Sequence, residues 1–115
     1  MKPTRLLDIA HGIALGRLSH KMSFRLGAAG IRSDGVIVAS FNGAPKEPEW
    51  RHHSETRLIR KLTRNSIVAV VRIYANGDWA LAKPCSNCEL FLKRAGVKKV
   101  YYSIAPNEFG ILNFH

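Results

Sequence analysis

Two short stretches carry groups able to do chemistry together: Pro84-Cys85-Ser86-Asn87-Cys88 and, upstream, His53-Ser54-Glu55. A Cys-x-x-Cys pair opening a helix turns two thiols toward one point, and a proline just before it pre-sets the backbone for the first turn. The free N–H groups and the positive end of such a helix favour the thiolate, the form that binds metal. Cys85, Cys88 and His53 together make three zinc ligands and leave one tetrahedral position open, as in a catalytic site and unlike a closed structural one. A water in that position falls in pKa from about 15.7 to about 7, so hydroxide is available at neutral pH. Glu55, two residues past His53, is a carboxylate left outside this ligand set.

A Cys-x-x-Cys pair alone also marks redox motifs and structural zinc sites. A structural site needs a fourth ligand, and the chain holds only two cysteines. His52 is the nearest candidate, but adjacent residues diverge by about 100° around a helix and alternate on a strand, so His52 and His53 are poorly placed to share one metal. A non-catalytic zinc module binding nucleic acid is a further alternative, and it leaves Glu55 without a purpose. His-x-Glu followed by Pro-Cys-x-x-Cys resembles the signature of the zinc-dependent cytidine and deoxycytidylate deaminase superfamily. That resemblance implies Zn2+ as cofactor and hydrolytic deamination of cytosine to uracil plus ammonia. Attack falls at C4, with Glu55 protonating N3 and then helping the amine depart.

Resemblance also bears on the substrate. Asn42-Gly43-Ala44-Pro45 is similar to the Asn-Gly-x-Pro that deoxycytidylate deaminases carry shortly before His-x-Glu, which implies a hydrogen bond from Asn42 to substrate near base and sugar. Ser54 and Pro84 flank the ligands as further substrate-binding positions, with backbone N–H groups near Ser54 and Cys85 orienting the base. Trp50, in the short loop 46–52, is a candidate to stack on a base or to pack back on the domain. His52, Arg51 and Lys21 are candidates to hold a phosphate. The resemblance favours deoxycytidylate or cytidylate, or the nucleoside, as substrate. Cytosine in single-stranded DNA or RNA is the alternative. Superfamily members often form dimers or tetramers through the zinc helices, which implies a homo-oligomer.

The elements that must position these residues follow from hydrophobic spacing. Leu6, Ile9, Ala10, Ile13, Ala14 and Leu18 recur at helical intervals after Thr4, a candidate N-cap. His11 and His20 belong to no metal-binding spacing and read as surface or edge residues. Residues 24–31 and 36–41 read as strands joined at Asp34-Gly35, a reverse-turn pair. Gly27 and Gly30 mark either a close backbone approach or a bulge. Leu58, Ile59 and Leu62 give the helix carrying Glu55 an apolar face, with Asn65 as its end. The run Ile67-Val68-Ala69-Val70-Val71 fits a central strand covered on both faces. Asn76-Gly77 turns the chain back toward the cysteine motif, whose helix stops at Gly96.

Residues 97–104 and 109–114 read as the last two strands. Only Ala105-Pro106-Asn107-Glu108 separates them, too short for the crossover of a parallel pair, so they form an antiparallel hairpin. That hairpin resembles the cytidine-deaminase branch of the superfamily and several polynucleotide deaminases. The expected fold is α/β: a three-layer α/β/α cytidine-deaminase-like sandwich with a mixed five-stranded sheet. The first helix lies on one face and the two zinc helices on the other.

At 115 residues the chain reads as one domain, 1–115, large enough to fold without disulfide staples. Apolar residues make up 46% and charged ones 23%, the balance of a globular protein and not of a disordered one. No apolar run approaches the roughly 20 residues needed to span a bilayer, and the N-terminus lacks a continuous apolar signal core. With two cysteines assigned as metal thiolates, these features predict a cytoplasmic protein with no membrane partner. The net charge of +10 points to an anionic partner, either nucleotide phosphate or single-stranded nucleic acid, or else serves solubility.

Overall fold

A computed structural model of the chain describes residues 3–15, 25–41, 61–74, 76–84 and 86–114. Leu6, Leu7, Ala10 and Ala14 form the buried stripe of the first helix, α1 (Pro3–Leu15). Burying a leucine side chain contributes about 2 kcal/mol, so this stripe fixes which face of α1 meets the sheet. Strands β1 (Arg25–Ile31) and β2 (Ile37–Phe41) follow. Their turn is the expected one. Gly35 takes φ 88°, its N–H donates to the Arg32 carbonyl at 2.9 Å, and Asp34 Oδ1 accepts from the Val36 N–H at 3.1 Å.

Four more strands, β3 (Ile67–Ile73), β4 (Trp79–Ala80), β5 (Lys99–Ala105) and β6 (Glu108–Asn113), complete a mixed sheet. The order is β2-β1-β3-β5-β6, with β4 paired to β3 off that path. β3 and β5 are parallel, joined through the helix α2 (Ser86–Arg94). The remaining pairs are antiparallel, including the C-terminal hairpin β5–β6. The five strands expected from the sequence are present, and the two-residue β4 adds a sixth to the sheet.

Alternation along each strand divides the core into two. Ala29, Ala69, Val71, Ile73 and Tyr101 pack with Leu6, Leu7, Ala10 and Ala14 of α1. Leu26, Ala28, Val68, Val70 and Val100 pack on the other face with Leu92 of α2 and Val97. The central strand is therefore covered on both sides, which is why its residues read as an unbroken apolar run. Gly27 faces α1, where a Cβ would collide with the Ala10 carbonyl oxygen and lie 2.7 Å from the Ala14 amide nitrogen. Because β1 pairs with β2 and β3 without a register shift, close approach and not a bulge accounts for this glycine.

One boundary differs from expectation. Where the sequence predicts a helix continuing to Asn65, Lys61 is a turn residue and positions 62–65 are non-helical. The cause is local competition for the backbone. Ser66 Oγ accepts from the Thr63 N–H at 3.1 Å and donates to the Thr63 carbonyl at 2.6 Å. Asn65 turns left-handed at φ 65°, and its N–H donates to the Gly96 carbonyl at 2.8 Å. No helix among the described residues is long and apolar enough to cross a membrane.

Candidate active site

The cysteine motif is delivered by a descending segment tied to β5. Past the turn where the Gly77 N–H donates to the Tyr74 carbonyl at 2.9 Å, the chain pairs briefly with β3 as β4. It then leaves the ladder, and Ser103 takes over. This buried serine donates from Oγ to the Ala80 carbonyl at 2.6 Å and accepts from the Arg72 N–H at 3.1 Å. Its own carbonyl accepts from the Ala82 N–H at 2.9 Å. One residue of β5 therefore anchors β3, β4 and the approach to Pro84. Along that approach Ala82 and Pro84 are buried while Leu81 and Lys83 are exposed.

Ser86 opens α2 two residues beyond Pro84. Cys88 lies in the first turn and is 1% exposed; it is not in a disulfide. Leu92 and Ala95 follow it on the sheet-facing side at i+4 and i+7, one packed inside the core and the other against it. The spacing that builds the core stripe thus also turns the Cys88 thiol inward at the positive end of the helix. A buried soft donor at the positive end of a helix suits a thiolate-binding cation such as zinc. Lys93 and Arg94 stand in the last turn, where they complement the opposite end of the dipole.

The other residues singled out by the sequence are Asn42, Trp50, His52, His53, Ser54, Glu55 and Cys85. They lie outside the described residues, as do Lys21 and Arg51. Among the described residues no three His, Cys, Asp or Glu side chains converge on one point. His11 is engaged elsewhere. Its Nε2 lies 3.4 Å from the Gly77 carbonyl oxygen, and its ring meets Trp79 edge-on at 5.8 Å. Ser103 is the positioning residue that sequence reasoning passed over. The available signal was a lone serine inside the run Val100-Tyr101-Tyr102-Ser103-Ile104.

Residues 2–104 match the family model described as the cytidine and deoxycytidylate deaminase zinc-binding region. The chain belongs to that family. This deaminase is accordingly a zinc-dependent hydrolase that removes the amino group of cytosine. Its fold is similar to solved cytidine deaminases. The enzyme from Burkholderia pseudomallei superposes with a TM-score of 0.71 at 15% identity, over 98% of this chain and 93% of that one. That from Mycobacterium leprae gives 0.63 at 20% identity, over 96% and 93%. An E47D mutant from Mycobacterium tuberculosis gives 0.62 at 19%, over 96% of each chain. No curated protein matches at the level of sequence alone.

Proposed function

We propose that the deaminase acts on the cytosine of a nucleotide, deoxycytidylate or cytidylate, or of the corresponding nucleoside. His53, Cys85 and Cys88 hold the zinc in this reading, and the metal when bound supplies an activated water. The supporting observation is Cys88, a reduced thiol buried in the first turn of α2 on a segment pinned by Ser103. Glu55 takes a proton from the attacking water and passes it to N3 of the base. It then takes the proton of the hydroxyl added at C4 and delivers it to the amine as the C4–N bond breaks, so that water and cytosine become uracil and ammonia. Asn42 offers both donor and acceptor to the substrate. Ser54 and Pro84 line the base, with His52 and Trp50 at the mouth. The Asn42-Gly43-Ala44-Pro45 stretch is the reason to favour the nucleotide.

A second reading, the same chemistry on single-stranded DNA or RNA, is favoured by the net charge of +10. Purified zinc-loaded protein offered cytidine, deoxycytidine, their monophosphates and a cytosine-bearing oligonucleotide separates the two. Uracil product from the monophosphates is the expected result. Conversion of the oligonucleotide with the monophosphates untouched would reverse the preference and leave the zinc chemistry standing.

A further inference from the structure

At the end of α2 away from Cys88, Arg64, Lys93 and Lys98 rim a depression of about 360 Å³ with Phe114 in its wall. The three cations come from three segments locked together by the backbone. The Asn65 N–H donates to the Gly96 carbonyl at 2.8 Å, the Lys98 N–H to the Ser66 carbonyl at 2.8 Å, and the Phe114 N–H to the Lys98 carbonyl at 2.9 Å. Gly96 sits left-handed at φ 83°, and the Arg64 stem packs against it so closely that a Cβ there would lie 2.8 Å from Arg64 Cγ. The rim is thus built by the fold.

Among the described residues the charges on it are uncompensated: all three cations are exposed, none lies in an ion pair or side-chain hydrogen bond, and no acidic residue lines the depression. Arg94, also exposed, stands next to Lys93. Uncompensated cations beside an aromatic ring make the chemistry that binds a single strand, with phosphates on the cations and a base on the ring. Lys93 stands five residues after Cys88, about 7.5 Å further along the axis of α2, and Lys98 follows the end of the helix, so this surface lies at the far end of α2 from Cys88. We infer that the depression is a docking surface for the backbone of single-stranded nucleic acid. The inference does not depend on which form of cytosine is deaminated.

The test uses a thymine oligonucleotide, which offers nothing to deaminate, with affinity followed by fluorescence anisotropy as salt is raised. Each phosphate contact contributes about 0.7 to the slope of log affinity against log salt, or about fivefold in affinity at 0.1 M. The Lys93→Gln/Lys98→Gln double variant leaves the backbone locks intact and should lower the slope by about 1.4 and weaken binding about 25-fold. Adding Arg64→Gln should bring the losses to about 2 in slope and 100-fold in affinity. Arg5→Gln, on α1 across the sheet, should change affinity by no more than about twofold. The proposal is overturned if the wild-type protein does not bind the strand, or if the double variant keeps the wild-type slope. It is also overturned if Arg5→Gln costs as much as Lys93→Gln, or if inorganic polyphosphate of equal charge binds as tightly as the oligonucleotide.

Discussion

In the proposed mechanism two residues with different tasks separate metal binding from proton transfer. Cys88 is buried on the sheet side of α2, so Cys88→Ala changes little volume and removes one of the three proposed ligands. Metal analysis should find most of the zinc lost, and because ligation is coupled to folding the variant should also unfold at lower denaturant. Full zinc occupancy in that variant would remove Cys88 from the ligand set. Glu55→Gln should behave in the opposite way, keeping zinc and fold while turnover falls by more than the roughly 10² to 10⁴-fold typical of one general acid or base. Near-normal turnover would exclude it as the proton carrier. Ser103 acts at a distance: Ser103→Ala removes the hydroxyl bonds to the Ala80 carbonyl and from the Arg72 N–H, a cost of about 1–3 kcal/mol for the two. Urea unfolding measures that loss, and weaker zinc affinity in the folded variant would show that the serine positions the motif.

At the scale of elements, α1 lies on β1 only because Gly27 leaves room for its backbone. Gly27→Ala should therefore destabilise by about 2–3 kcal/mol through overpacking, read as a lower denaturation midpoint. An unchanged midpoint would mean that α1 shifts freely. The sequence made much of this scale legible. Asp34-Gly35 and Asn76-Gly77 mark their turns by chemistry that few other pairs supply, and the short link at Pro106-Asn107 permits only a hairpin. The cysteine motif marks the start of α2, since a proline just before a Cys-x-x-Cys pair pre-sets a first helical turn. What escaped were interactions between segments distant in the chain. Apolar spacing at Leu58, Ile59 and Leu62 predicts a helix running to Asn65. It cannot register that Ser66 claims the Thr63 backbone or that Gly96 claims the Asn65 N–H. Ser103 was missed for the same reason, because its partners at Arg72 and Ala80 lie on other strands.

For the molecule as a whole, charge and topology are set by different parts of the sequence. The net charge of +10 leaves the fold class open and bears on partners, whereas the order β2-β1-β3-β5-β6 decides which residues can meet at all. In that order the parallel pairing of β3 with β5 encloses α2 and Cys88 in the intervening chain. The hairpins β1–β2, β3–β4 and β5–β6 close over short loops, but this pairing must draw in residues 74–98 and that of β1 with β3 residues 32–66, and closing a longer loop costs more entropy before any contact offsets it. Refolding should therefore begin at the hairpins, and the segment carrying Cys88 should reach its final place only when β3 meets β5. Pulse-labelled hydrogen exchange should find the β1–β2 and β5–β6 amides protected ahead of those between β3 and β5. Zinc present from the start should slow loss of the final state without hastening the first protection. Simultaneous protection of all the strands would show that the sheet assembles in one step, with the metal site formed as early as the rest.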